Sequence, residues 1–491
     1  MTDPHIAAGE PAAPAITGAT TDNAAVRTGR GARTWQLVRL AVRGSHVDYT
    51  QGAVGQAILI LAIPMVLEMS MESIFAVVDV FFVSRLGPQA IATVGLTESM
   101  LTLVYTIAMG LGIGATAMVS RRIGEHDPDG ASRAAMQAIW LGIILALALG
   151  LTGALFGPQL LALMGAEPDV VASGGTFARV MLGGNASVLM LFLLNAIFRG
   201  AGDAAIAMRT LWLANAINIA LGPCLIFGIG PFPKLGVTGA AIATTIGRSS
   251  GALYALSRLL RPGGRVHLSA RYLRLEPALM WRLVRLSSSG TFQIFIGMAS
   301  WILLIRVIST FGSAALAGYT IAMRVIAFAL LPSWGMSNAA ATMVGQALGA
   351  GKPDRAEQAV WIAGRYNFVF LGLVGLGFVT LAPQIVALFT ADQAVARYGV
   401  DCLRLVATGF VFYAYGMVLT QAFNGAGDTW TPTLINLGCF WCFEIPLAWT
   451  LAMTFGMGPH GVFLAMTLAY TSIAVVSAVL FRRGTWKRKT V

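Results

Sequence analysis

The sequence predicts an all-α polytopic membrane protein in which twelve transmembrane helices form two pseudo-symmetric six-helix bundles. Of the 491 residues, 57% are hydrophobic and only 11% are charged, whereas soluble proteins carry about 25% charged residues. Apolar stretches near the roughly 20 residues that a helix needs to cross a bilayer recur twelve times. In addition, the second half of the chain repeats motifs of the first half.

The elements follow in order along the chain. Residues 1–50 are rich in Ala, Thr, Gly and Arg, which predicts a disordered cytoplasmic tail. An N-terminal lobe (51–258), a basic cytoplasmic linker (259–287), a C-terminal lobe (288–481) and a basic cytoplasmic tail (482–491) come next. The linker contains RYLRLEPALMWRLVRL, which favours a helix on the cytoplasmic surface. The predicted spans are 56–84, 91–118, 131–155, 172–197, 208–229, 236–258, 288–310, 314–341, 356–379, 396–423, 432–455 and 461–481.

The net charge of +12 is compatible with nucleic-acid binding, but the basic residues follow the predicted topology instead. With the N-terminus inside, most of the 33 lysines and arginines lie on one side, and Arg85, Lys234 and Arg397 lie on the other, as the positive-inside rule predicts. We therefore expect a multi-pass protein of the plasma (inner) membrane with both termini cytoplasmic. Its partner is the lipid bilayer, not nucleic acid. A monomer is compatible with the sequence, which leaves the oligomeric state open.

An internal repeat relates the two halves. FRGAGD at 198–203 returns as FNGAGD at 423–428, and MVSRRIGEHDPDGA at 118–131 aligns with MVGQALGAGKPDRA at 343–356 at the same offset. Six spans per half is an even number, so both halves start on the same side of the membrane. The two lobes should then be related by an axis along the membrane normal, with one cleft between them.

Three carboxylates interrupt the first span. Glu68, Glu72 and Asp79 lie on one face of an ideal helix, and each ionised carboxylate near a bilayer centre costs roughly 2.5 to 3.5 kcal/mol. Burial and mutual repulsion both favour a proton on at least one of them, which suits a proton relay. The alternative is that these acids pair with arginines across the cleft and only hold the lobes together.

Other charged residues within spans are candidates for a substrate cleft. Acids in the cleft would favour lipophilic cations, whereas arginines would favour an anionic amphiphile such as a lipid-linked saccharide. The histidines lie in tails and loops, and no paired metal-ligand motif falls within a span, so we expect neither an enzyme nor a metal site. The candidate cleft residues are Glu98, Arg306, Arg324, Arg404 and Glu444.

Three motifs carry a resemblance to the multidrug and toxic compound extrusion (MATE) family over about residues 55–480. They are IPMVLEMSMESIFAVVDVFFVSRLG in the first span, the duplicated GAGD, and NIALGPCLIFGIGPFPKLGVTGAAIAT at 218–244. The resemblance implies two six-helix lobes that export drugs in exchange for protons or sodium ions.

The resemblance also implies a coupling site in the N-terminal lobe. Some family members use an aspartate on the first helix, an asparagine late in the fourth and an Asn-x-x-x-Asp pair on the fifth. Asp79, Asn195 and Asn218 take the first three roles, but Gly222 occupies the position of the last aspartate. Glu72 is our candidate for the missing acid, and Glu68 is the remaining acid of the site.

Together these observations predict a cation-coupled antiporter, driven by protons in preference to sodium. It would export drugs or other lipophilic, cationic compounds by alternating access and need no cofactor beyond the ion gradient. The alternative is a flippase or exporter of a lipid-linked saccharide or other anionic amphiphile.

Overall fold

The computed structural model describes residues 30–44 and 47–490, and this part of the chain is almost entirely helical. Short 3-10 turns at Ala270–Tyr272 and Thr485–Arg488 and π-helical turns at Leu437–Glu444 and Thr450–Thr454 complete the elements. The α-helices are α1 (Arg30–Arg43), α2 (Val54–Ser84), α3 (Pro88–Gly124), α4 (Pro128–Leu163), α5 (Pro168–Gly183), α6 (Asn185–Ala201), α7 (Ala204–Phe227), α8 (Val237–Leu259), α9 (Pro277–Ser309), α10 (Ser313–Gly349), α11 (Pro353–Ala387), α12 (Gln393–Thr408), α13 (Phe410–Gly425), α14 (Trp430–Asn436), α15 (Ile445–Trp449) and α16 (Pro459–Arg482).

The predicted all-α membrane fold is confirmed. Within the described ranges, ten helical stretches are long and apolar enough to cross a membrane, and α5 with α6 counts as one of them. Helices α12 and α13, bent by 58° at their junction, make an eleventh if they form one span. The remaining predicted span corresponds to α8, which has 23 residues and carries Arg248 in its interior.

Helices α2 to α8 form the N-terminal lobe and α9 to α16 the C-terminal lobe. We call the end of the bundle that carries residues 47–53 and 483–490 the inner end, since its basic residues predict that it faces the cytoplasm. A buried apolar cluster joins the lobes near this end, where Leu61 and Met65 of α2 pack with Met343 of α10 and Phe423 of α13.

Small residues let the lobes approach each other closely on the inner side. A methyl group added at Gly110 of α3 would overlap Thr291 of α9, and one added at Gly345 of α10 would overlap Ser120 of α3. Because no hydrophobic force drives helices together in a bilayer, they associate largely through the close packing that small residues allow. The lobes are therefore sealed against each other at the inner end.

Two predicted segments differ from expectation. Helix α1 lies inside the predicted disordered tail, whose residues 1–29 and 45–46 are outside the described ranges. The linker forms no separate surface helix at its C-terminal end, because α9 already begins at Pro277 and runs on through the membrane. Proline is favoured at the first turn of a helix, and Leu283 in the second turn is buried against the N-terminal lobe.

The predicted basic C-terminal tail folds back onto the inner end. Trp486 is fully buried in the cluster that joins the lobes. Lys487 Nζ lies 2.6 Å from Glu357 Oε2 of α11, and this hydrogen bond raises the pKa of Lys487. The Lys489 carbonyl accepts a hydrogen bond of 2.7 Å from Arg121 of α3. The tail thus connects helices of both lobes.

Candidate functional site

Glu68 forms a buried polar cluster with helix α6. Its side chain is 1% exposed, and its Oε1 accepts hydrogen bonds from Asn195 Nδ2 at 3.2 Å and from Arg199 Nη1 at 2.6 Å. Asn195 and Arg199 are four residues apart and therefore project from the same face of α6. The structure thus brings together Glu68 and Asn195, two residues of the predicted site, and adds an arginine.

Glu72 interacts with α7 and α8. Its Oε2 accepts a hydrogen bond of 3.0 Å from Asn215, and its Oε1 lies 3.3 Å from Arg248 Nη2. Arg248 is only 3% exposed and is surrounded by aromatic faces, which favour a buried guanidinium. Its guanidinium carbon lies 5.6 Å from the ring centre of Tyr105, 5.7 Å from that of Phe75 and 5.8 Å from that of Phe192.

Asp79 is partly buried in the outer half of α2. Arg248 is the opposite charge that acts on it, and Asp79 in turn repels Glu98 of α3. Arg248 therefore forms an ion pair with Glu72 and attracts Asp79 over a longer distance.

Asn218 and Gly222 lie on α7, on the side that faces α8. Asn218 Nδ2 donates a hydrogen bond of 2.8 Å to Thr244 Oγ1 of α8. A Cβ added at Gly222 would meet only Asn218 Oδ1, at 3.8 Å. The position where the family pattern expects an aspartate thus has room for a side chain, and Asn218 bonds to neither Glu72 nor Asp79 in this structure.

Two acids of α2 have counter-charges within their own lobe. Arg199 and Arg248 neutralise Glu68 and Glu72 from within the same lobe, and neither arginine was among the predicted site residues. Arg248 could have been found, since it lies inside the predicted span 236–258. Basic residues within a span usually face the bundle interior and pair there.

Two cavities lie where the lobes meet. The first, which we call the N-terminal cavity, has a volume of about 320 Å³, belongs mainly to the N-terminal lobe and is lined by residues that include Glu72, Arg199 and Tyr105. The second, which we call the C-terminal cavity, has a volume of about 280 Å³, lies within the C-terminal lobe and is lined by residues that include Glu444 and Tyr413. Both cavities are also lined by Met298, Trp334 and Gln421. Because they share these residues, the two cavities form parts of one cleft.

Glu444 is the predicted cleft residue that the structure places in a cavity. It is buried, and Ser300 Oγ of α9 donates a hydrogen bond of 3.1 Å to its Oε2. Glu444 ends the π-helical turn Leu437–Glu444, and such turns are frequent at functional sites. The other four candidates are exposed and line neither cavity: Glu98, Arg306, Arg324 and Arg404.

The three predicted cleft arginines also do not pair with the acids of α2. Arg404 Nε donates a hydrogen bond to the Val379 carbonyl oxygen at 3.1 Å, and Arg324 acts electrostatically on Glu98. In this structure, these arginines therefore do not compensate Glu68, Glu72 and Asp79 through ion pairs across the cleft.

Comparison with known proteins identifies the family of this chain. The MatE family model matches residues 64–224 and 291–450, once in each lobe. The chain belongs to the MatE family. It is thus a multi-pass membrane transporter that acts on small molecules, and the family is one of transporters rather than enzymes. The predicted resemblance is confirmed, and the double match agrees with the internal repeat.

Several relatives span nearly the whole chain. The chain is 28% identical to a probable multidrug resistance protein NorM of Pseudomonas putida, over 88% of this chain and 95% of that protein. It is 23% identical to the probable multidrug resistance protein YoeA of Bacillus subtilis, over 89% of this chain and 96% of that one. It is also 25% identical to an FAD transporter of Shewanella oneidensis, over 88% and 95%.

Solved structures share the fold. An outward-facing MATE transporter superposes with a TM-score of 0.84 at 26% identity, covering 92% of this chain and 98% of that one. A transporter of the MOP superfamily from Pyrococcus furiosus, described as having a binding pocket of reversed polarity, also gives 0.84 at 26% identity, covering 90% and 98%.

Proposed function

We propose that this MatE transporter is a proton-coupled antiporter that exports lipophilic organic cations by alternating access. The proposal depends on Glu72, which belongs to two parts of the structure. One is the acid–arginine network, formed by Glu68, Glu72 and Asp79 with Arg199 and Arg248, and the other is the wall of the N-terminal cavity. This carboxylate bonds to Arg248 and Asn215 in the acid–arginine network, and it also lines the N-terminal cavity. A change in the charge of the network therefore reaches the cavity wall directly.

The coupling step starts at Asp79. Protonation of Asp79 from the outer side removes one of the two carboxylates that attract Arg248, so Arg248 interacts more strongly with Glu72. Helices α2 and α8 then change their packing, the cleft that the two cavities share contracts, and the bound cation leaves. Deprotonation toward the inner side resets the carrier. Only such a difference in affinity between two states allows a proton to drive the exchange.

A proton fits this site better than a sodium ion. Sodium, like other hard cations, requires several oxygen ligands around it. Here the Arg248 guanidinium already occupies the vicinity of Glu72 and Asp79, and its positive charge repels a second cation. In addition, Gly222 contributes no carboxylate where the family pattern has one.

The C-terminal cavity has the chemistry to hold the organic cation. Its wall combines the Glu444 carboxylate with aromatic side chains, among them Trp301, Tyr413 and Tyr470. Aromatic faces attract cations, and a mostly apolar pocket with a few polar groups is typical of small-molecule sites. Met298, Met417 and Met466 in the same wall can adapt to ligands of different shape.

Efflux from proteoliposomes tests the proposal. Ethidium release should follow an imposed pH gradient and not a sodium gradient. It should be lost in Asp79→Asn and in Glu72→Gln, because either change removes a charge from the network. Asp169→Asn, an exposed and unpaired position in the first turn of α5, is the matched control and should behave as the wild type.

Efflux under a sodium gradient alone would refute proton coupling. If Glu72→Gln remained active while Asp79→Asn did not, Glu72 would not be the substitute acid.

An anionic substrate is the second candidate. Arg199 lines the N-terminal cavity, and one relative is an FAD transporter. The three arginines that favoured a lipid-linked saccharide, Arg306, Arg324 and Arg404, line neither cavity, which leaves that cargo with less support. Release of preloaded FAD in the same vesicles, without release of ethidium, would favour the anionic candidate.

A further inference from the structure

We propose that the inner end of the N-terminal lobe holds a binding site for the headgroup of an anionic phospholipid. A cavity of about 340 Å³ lies between the end of α1, the start of α7 and the end of α8. Its lining includes Arg43, Arg209, Arg258 and Arg261. It shares no lining residue with the two transport cavities, so this site is separate from the transport path.

Arginines outnumber acidic residues in the described lining of this cavity. None of its four arginines forms an ion pair within the described part of the chain. Asp203 is the acidic residue among those lining the cavity, and Arg265, which is not one of the four, lies 3.7 Å from it. Four arginines against one aspartate leave this lining with an excess of positive charge, and a cleft lined by one sign of charge attracts ions of the opposite sign. An anion is the ligand that this cavity favours.

The backbone is arranged to hold the arginines in place. Arg209 Nη2 donates hydrogen bonds to the carbonyl oxygens of Val42 at 2.9 Å and Arg43 at 2.6 Å, which fixes the end of α1 against α7. The turn that follows α8 contains Gly263 with φ +92° and Gly264. Glycine turns of this kind leave backbone N–H groups free to approach a phosphate.

The surroundings of the cavity favour a lipid over a soluble anion. Trp35 and Leu40 of α1 are 70% and 41% exposed, and Leu260, between Arg258 and Arg261, is 55% exposed. A basic amphipathic helix with an exposed tryptophan is typical of the membrane interface. Basic pockets between membrane helices bind anionic headgroups, whose acyl chains would lie along these exposed apolar side chains.

A lipid titration of the purified full-length protein tests the site. The melting temperature is followed in neutral detergent with phosphatidylcholine as phosphatidylglycerol is added, and half-saturation is compared between variants. Each arginine near an anionic surface contributes about five-fold in affinity. Arg258→Gln with Arg261→Gln should therefore weaken phosphatidylglycerol binding about 25-fold. The control, Arg282→Gln with Arg285→Gln, removes the same charge from exposed positions of α9 outside the cavity and should retain wild-type binding.

Each outcome decides the proposal. An equal loss in both double variants would show a general charge effect and overturn the site. Stabilisation of the wild type by inorganic phosphate alone, to the same extent as by phosphatidylglycerol, would show a soluble-anion site and overturn the lipid assignment. If the Arg258/Arg261 variant did not fold, Arg43→Gln, which changes an exposed side chain at the end of α1, provides the same comparison with an expected loss of about five-fold.

Discussion

Replacing Arg248 with glutamine should destabilise the N-terminal lobe because it leaves acids without their counter-charge. Arg248 is 3% exposed, and it forms an ion pair with Glu72, whose side chain is 19% exposed. Removing one partner of a buried pair costs about 3 to 5 kcal/mol, and the partial exposure of Glu72 places the expected loss near the lower limit, about 3 kcal/mol. For a chain of this length that corresponds to a decrease of about 3 °C in melting temperature.

A double-mutant cycle measures the interaction itself. If Glu72 is the main acid that Arg248 compensates, the combination of Glu72→Gln and Arg248→Gln should recover part of the lost stability, since Asp79 is then the one acid of the two that still lacks its counter-charge. Arg248→Lys should lose less than Arg248→Gln, because it keeps the positive charge while giving up the planar guanidinium. Thermal melts in detergent provide the assay. Additive losses in the double variant would refute the coupling between Glu72 and Arg248.

Three further changes test other parts of the structure. Gly345→Val should force the inner ends of the lobes apart, because the valine side chain would overlap Ser120. Labelling of cysteines introduced at the inner side should then rise several-fold. The control is Gly297→Ala, whose methyl group meets no atom within 4 Å and should leave labelling unchanged. Glu444→Gln should weaken binding of ethidium to the purified protein at least ten-fold, since the C-terminal cavity would lose its carboxylate. Unchanged affinity would show that the cation binds elsewhere. Gly222→Asp should fold normally because the position has room, and an aggregated product on size-exclusion chromatography would contradict that geometry.

Much of the fold could be predicted from the sequence because the bilayer imposes simple rules. Span length, the side preferred by basic residues and the repeat of GAGD are properties of short segments. Span length predicted the helical membrane fold and the repeat predicted the two lobes, whereas the orientation indicated by the basic residues stays a prediction. The boundaries of the linker were harder to predict. RYLRLEPALMWRLVRL has the composition of a surface helix, but a single proline at position 277 starts the seventh span within it.

The candidate site could be predicted only in part. The acids of α2 are visible as polar residues in an apolar segment, and Glu68 does meet Asn195 as a member of one cluster. Their counter-charges come from α6 and α8, more than a hundred residues along the chain, and such pairs depend on tertiary packing. Arg199 ends an apolar segment, and although Arg248 lies within the predicted span 236–258, neither segment shows which acid its arginine meets.

Under the proposed proton coupling, the placement of two arginines beside three acids would also set the electrical character of transport. Glu68, Glu72 and Asp79 with Arg199 and Arg248 carry one excess negative charge, so a single proton makes the group neutral. A carrier that exchanges one proton for one monovalent cation moves no net charge across the bilayer. Such an electroneutral exchanger responds to the difference in pH and not to the membrane voltage, and it can therefore continue to export cations when the cell membrane is depolarised.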